Sequence, residues 1–174
     1  MFKALALAAA LMLAPVAPAP AAVGNAPTVV IVVRHAEKAD ASEDPPLSDA
    51  GRARAERLAE IAERAGVRAV LTTQLKRTKE TAQPFVARHG VPARAFELTR
   101  ANLAAHPKLV ADEIRKNHSG QTVLVVGHSN TAPRIVNELT GQGFKDLDDA
   151  KEFDAIFVVI LPPSGRPAVV RAKY

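Results

Sequence analysis

The 174-residue chain has no cysteine and no tryptophan, a single tyrosine, and only 4% aromatic residues. Without cysteine there is no disulfide, no thiol nucleophile, no cysteine-bound metal and no lipidated cysteine, so stability must come from packing. The net charge of +5 and a pI near 9.8 leave a basic balance. Its basic residues are interleaved with acidic ones, however, and aromatics are scarce, which argues against a nucleic-acid partner. Long hydrophobic runs are missing after the first residues. There, Phe2-Lys3 is a short positive start, Ala4 to Ala14 is apolar, and Ala19-Pro20-Ala21 has an A-x-A processing pattern. The apolar stretch falls short of the ~20 residues that a membrane span requires. Residues 1–22 are expected to be a signal peptide cleaved near Ala21. That leaves no membrane anchor and one catalytic domain, 23–174, in the periplasm or outside the cell.

What is present is an apolar content of 48% against 24% charged residues, enough for a sizeable core in one domain. From Thr28 onward, strand-like and helix-like segments alternate. Strands are expected at 28–33, 67–71, 92–98 and 122–126, followed by a terminal hairpin of 155–161 and 168–172. Helices are expected at about 48–65 with Ser48 as N-cap, 75–88 with Thr72-Thr73 as cap, 107–117 and 131–139. This order predicts a layered α/β domain.

Two dipeptides stand out: Arg34-His35 directly follows the first apolar strand, and Gly127-His128 directly follows the strand 122–126. In an open α/β sheet the C-terminal strand ends form the ligand-binding edge. The helix after Thr72-Thr73 opens with Lys76, Arg77 and Lys79, the wrong sign for a helix N-terminus unless an anion sits above it. Lys76 and Lys79 read as solvent-facing; Arg77 reads as a partner of Arg34 around a phosphate, with the Ser129 and Asn130 amides presented to the same crevice. Two histidines and two arginines suit phosphoryl transfer to a neutral imidazole. That chemistry splits hydrolysis into formation and breakdown of a phosphohistidine and needs no metal or other cofactor. The acidic loop Glu37, Asp40, Glu43, Asp44 reads as solvated, and His89, His106 and His118 as structural residues flanking helix ends.

Val33-Arg34-His35-Ala36-Glu37, Pro46-Leu47-Ser48-Asp49-Ala50-Gly51, the run Thr72 to Ala82, and Val126-Gly127-His128-Ser129 together resemble the histidine phosphatase superfamily, its phosphoglycerate mutase-like branch. The resemblance covers the chain after residue 22. It implies a three-layer fold with a mixed, mostly parallel sheet between helices. It also implies His35 as the phosphorylated nucleophile, a phosphate pocket of Arg34, Arg77, His128 and the Ser129 backbone, and a small phosphorylated substrate or a phosphoprotein as partner. Ala36 stands where the family usually has glycine, and Ala41 where mutase-like members have a phosphate-contacting asparagine. For the general acid, Glu97, Glu37 and no dedicated group all stay open. A phosphoramidate or acyl phosphate would need less protonation than an alkyl ester. Two further readings stay open: a binding module on the same fold that holds a phospho-ligand without turnover, and a metal-dependent hydrolase using His35, His128 and the acidic loop. The second is disfavoured by two arginines at the same place.

Overall fold

A computed structural model of the chain describes residues 26–174; the expected signal peptide lies outside the described residues. Six strands form one sheet: β1 (Thr28–Arg34), β2 (Ala69–Thr73), β3 (Ala93–Phe96), β4 (Thr122–Gly127), β5 (Ala155–Leu161) and β6 (Ala168–Lys173). Their spatial order is β3-β2-β4-β1-β5-β6. The first four pair in parallel, and β5 and β6 close the sheet as the expected antiparallel hairpin beside β1. Four helices cover it: α1 (Asp49–Arg64), α2 (Lys76–His89), α3 (His106–Asn117) and α4 (Thr131–Thr140). The fold is the α/β layering expected. Among the described residues no helix is long and apolar enough to cross a membrane.

Both faces of the sheet are buried, which is why β1 and β4 read as continuous apolar runs. Alternation within β1 splits the core: Val30 and Val32 pack with Val110, Ile114, Ile135 and Leu139 of α3 and α4, while Ile31 and Val33 pack with Leu58, Ala62, Ala82 and Phe85 of α1 and α2. Each fully buried aliphatic side chain contributes roughly 1.5–3 kcal/mol.

One expectation about local structure is corrected, and His106 is structural at a helix end as expected. Residues Thr72 and Thr73 do not cap α2; they end β2, and Leu75 is the helix N-cap with no side-chain bond. Both threonines are buried in the strand, and Thr73 uses its hydroxyl toward β4. His106 sits at the N-terminal end of α3, where a cation would oppose the helix dipole. It is buried against Phe96 with neither ring nitrogen partnered, and burial lowers its pKa, so it is a neutral core residue.

The segment Leu47-Ser48-Asp49-Ala50-Gly51 fixes the loop after β1. Ser48 caps α1 by accepting from Gly51 N, and its own N–H donates to Glu37 O at 2.9 Å. Gly51 lies so close to Glu37 that a Cβ there would overlap the Glu37 carbonyl oxygen and stand 3.1 Å from its nitrogen. A Gly51→Ala protein should lose about 1–3 kcal/mol of stability in urea unfolding, the usual cost of overpacking against a part that cannot give. Gly143→Ala, where a Cβ meets nothing within 4 Å, should change stability by less than about 0.5 kcal/mol.

Candidate active site

The parallel register of β1 and β4 places Arg34 opposite Gly127, and His35 N–H donates to Gly127 O at 2.9 Å. The two strand-end histidines therefore leave the sheet side by side, their ring centroids 5.3 Å apart and edge to face. Gly127 permits this because α4 begins against it: a Cβ there would come within 2.9 Å of Thr131 Oγ1, which accepts the His128 N–H. The pocket that results has a volume of about 250 Å³ and is lined by His35, Lys38, Arg77, Leu98, His128, Ser129, Asn130 and Asp149. A larger cavity of about 390 Å³, between Leu47 and Ala55 on one side and Glu80 and Pro84 on the other, contains no nucleophile or histidine.

His35 is buried, and its Nδ1 donates to Ala36 O at 2.8 Å, since a carbonyl can only accept. Among the described residues its Nε2 has no hydrogen-bond partner and keeps its lone pair. Burial, aided by Arg34, Arg77 and Lys38, pulls the His35 pKa from 6.5 to about 4, so the ring is neutral at pH 7. His128 is shifted in the same direction and further, first by burial and then by His35, Arg77, His106 and Arg34. Its Nε2 meets Thr73 Oγ1 at 3.1 Å.

The two arginines are held differently. Arg77 projects from the first turn of α2, is mostly buried, and has Nε and Nη1 without an acceptor; Asp44 stands 3.7 Å from Nη1, an ion pair but not a hydrogen bond. Arg34 is fully buried, and both of its Nη groups are bonded within the protein while Nε lacks an acceptor. It donates to Asp148 O at 3.1 Å, to Asp149 O at 2.8 Å and to Asp149 Oδ1 at 2.7 Å, and it stacks on Phe153 at 3.9 Å. Asp149 Oδ1 also accepts from Ser129 Oγ at 2.8 Å. That bond and Arg34 hold the Asp149 carboxyl below its ordinary range.

Of the residues predicted from sequence, the structure gathers His35, Arg77, His128 and Ser129 around one pocket, with Arg34 behind it. Glu97 is not brought there: it is exposed, and Leu98 lines the pocket in its place. Glu37 is turned away, bound by Arg54 through three contacts of 2.6 to 3.0 Å. The acidic loop is not merely solvated. Asp44 accepts the Lys76 N–H at 2.9 Å, so a carboxylate of this chain supplies the anion expected above the α2 terminus. Sequence reasoning missed Asp149 and the clip made by Thr81, whose hydroxyl donates to Arg77 O and accepts Ala36 N–H at 2.9 Å. The four-residue spacing of Arg77 and Thr81 puts both on one helix face and was the available signal. Among the described residues no three His, Cys, Asp or Glu side chains are grouped as a metal site requires.

The sequence matches the family model of the histidine phosphatase superfamily (branch 1) over residues 30–100, the segment carrying His35 and Arg77. Over that segment the chain is similar to the histidine phosphatase superfamily. No curated protein matches its sequence. Solved structures agree in fold. The protein histidine phosphatase SixA complexed with tungstate matches with a TM-score of 0.65 at 23% identity, over 83% of this chain and 96% of that one. A phosphoserine phosphatase from Entamoeba histolytica, in complex with 3-phosphoglyceric acid, matches with a TM-score of 0.61 at 14% identity, over 84% and 97%. YhfR of Bacillus stearothermophilus matches at 0.60 and 17%, over 76% and 90%. At these identities the likeness is one of architecture, and the histidine phosphatase fold is what the chain shares with all three.

The lowered pKa of His35 has a direct readout. In the free protein its ring resonances should titrate near pH 4, and inorganic phosphate should move the midpoint upward by stabilising the cation. A midpoint at 6.5 would contradict the burial described. The unfolded chain binds more protons than the folded one between pH 6.5 and 4, so the stability due to this histidine is complete above 6.5 and declines as pH falls.

Proposed function

We propose that the protein is a metal-independent phosphatase that hydrolyses phosphomonoesters or phosphoramidates through a phosphohistidine on His35. Arg77 carries the reading: a buried guanidinium with two N–H groups lacking an acceptor faces a pocket beside a neutral imidazole. Leaving a buried charged donor unpaired costs several kcal/mol, and an incoming phosphoryl oxygen relieves that cost. His35 Nε2 has the lone pair needed to attack phosphorus in line, and Ala36 O fixes its tautomer through Nδ1. Arg77, His128 and the Ser129 backbone then surround the transferring group. Water attack on the phosphohistidine completes turnover. The SixA and phosphoserine phosphatase neighbours agree with this reading in kind. With the leader-like residues 1–22, it describes a periplasmic or secreted enzyme acting on a small phosphorylated compound or a phosphoprotein.

The engagement of the Arg34 Nη2 group by Asp149 and the presence of Ala41 favour one competing reading, a module that binds phosphate without turnover. Trapping decides between them. Incubation with an aryl phosphate and a quench in base should leave acid-labile phosphate on His35, and chelator should not reduce turnover. His35→Ala should abolish the trapped species and lower turnover at least ~10⁴-fold. Arg77→Ala should lower kcat/KM by about 10²–10³-fold with the fold intact. Phosphate binding with no trapped species would establish the binding module instead.

A further inference from the structure

Beneath His128 lies a buried pair of hydroxyls whose protons can be counted. Thr73 Oγ1 stands 3.1 Å from His128 Nε2 and 3.0 Å from Thr78 Oγ1. Thr78 Oγ1 stands 2.9 Å from Leu75 O and 3.1 Å from Thr73 O, and Leu75 N–H donates to Thr73 Oγ1 at 3.4 Å. A hydroxyl has one proton to give, and a carbonyl has none. The Thr78 proton therefore goes to the carbonyls, the Thr73 proton to Thr78, and the bond between Thr73 and His128 uses the proton of Nε2. The reverse order would take the Thr78 hydroxyl away from Thr73 O and leave Leu75 O to the N–H groups of Thr78 and Lys79 alone. The first order puts the His128 proton on Nε2 and leaves Nδ1 a lone pair with no partner among the described residues.

His35 reaches the same result from the opposite nitrogen. Its Nδ1 proton is given to Ala36 O, and Nε2 is bare. Two imine lone pairs consequently meet at one anion pocket. A fully ionised phosphoryl group brings only acceptors to that pair, whereas a monoprotonated one brings an O–H.

We propose that Thr73 is a positioning residue that fixes His128 as a hydrogen-bond acceptor, so that a phosphoryl group enters with one proton, held between its oxygen and His128 Nδ1. This rests on the phosphatase reading and specifies the ionic form of its substrate. The groups facing His128 are His35 and Arg34 from β1, Arg77 from α2, His106 from α3, and Lys38 and Asp149 from the flanking loops. None of the pocket's carboxylates competes for the proton's role: Glu37 is bound to Arg54, Glu97 is outside, and Asp149 is held ionised by Ser129 and Arg34. The step balances. The bond from His35 Nε2 to phosphorus forms, the bond from phosphorus to the leaving oxygen breaks, and the proton brought in passes to that oxygen, giving a neutral alcohol.

Nitrogen-15 NMR of the free protein near pH 7 should show His128 Nε2 as the protonated, pyrrole-type nitrogen and Nδ1 as imine-type. Inhibition by inorganic phosphate should weaken about tenfold per pH unit above the second pKa of phosphate, as a one-proton linkage requires. Thr73→Val should mix the His128 tautomers and flatten that slope, and Thr73→Ser should restore both; loss of packing alone would change affinity without changing the slope. A proton on Nδ1 in the wild type, or affinity independent of pH, overturns the proposal. The phosphatase reading is judged separately: a trapped phosphohistidine with the wrong His128 tautomer refutes only the role of Thr73, and no trapped species with the right tautomer refutes only the phosphatase.

Discussion

Everything at the site depends on the parallel pairing of β1 with β4 in the register that sets Arg34 against Gly127. Side chains alternate faces along a strand, so a slip of one residue would exchange the α1/α2 face of β1 for the α3/α4 face and carry His35 away from His128. The register is protected on both sides. Val30, Val32, Ile31 and Val33 are committed to two different cores, and β5 pairs with the other edge of β1 over six residues. Glycine at 127 then lets α4 close down on the strand end. The two histidines are therefore positioned by the most buried part of the molecule.

Around that fixed pair the charges are arranged unequally. Arg34 is wholly buried, and a buried cation without a partner would be strongly destabilising, so the carboxylate and carbonyl of Asp149 make the protein foldable as much as they shape the pocket. Arg77 is left short of acceptors and is free to take a ligand. The two cations, together with burial, keep both histidines neutral. One arrangement thus leaves an imidazole neutral at pH 7 beside a guanidinium short of acceptors.

Much of this was legible in the sequence because it is local or periodic. The apolar strands, the Ser48 cap, the terminal hairpin and the two strand-end histidines follow from patterns of two and 3.6 residues and from motifs whose order is preserved. What was not legible lies at long sequence separation. Asp149 reaches Arg34 across 115 positions and Asp44 reaches Lys76 across 32; neither carries a motif. Thr73 was misread as a helix cap because threonine before a helix commonly is one. Pairing with Phe96 of β3 and contact with His128 gave it different work, and β2 runs over 69–73 instead of 67–71.

The weakest inference from sequence was the general acid, and the fold shows why. In this chain the segment after β3 is short, and it turns Glu97 outward while Leu98 lines the pocket. The loop before α1 gives Glu37 to Arg54, and the loop before β5 spends Asp149 on Arg34 and Ser129. Glu37 and Asp149 are thus engaged in holding structure, and their partners keep both carboxyls below the ordinary range. A protein that fixes its carboxylates this way has to obtain the leaving-group proton from the substrate or do without it. On the proposed reading the substrate's own proton fills that gap, and a leaving group that is stable as an anion or already carries a proton would need it least.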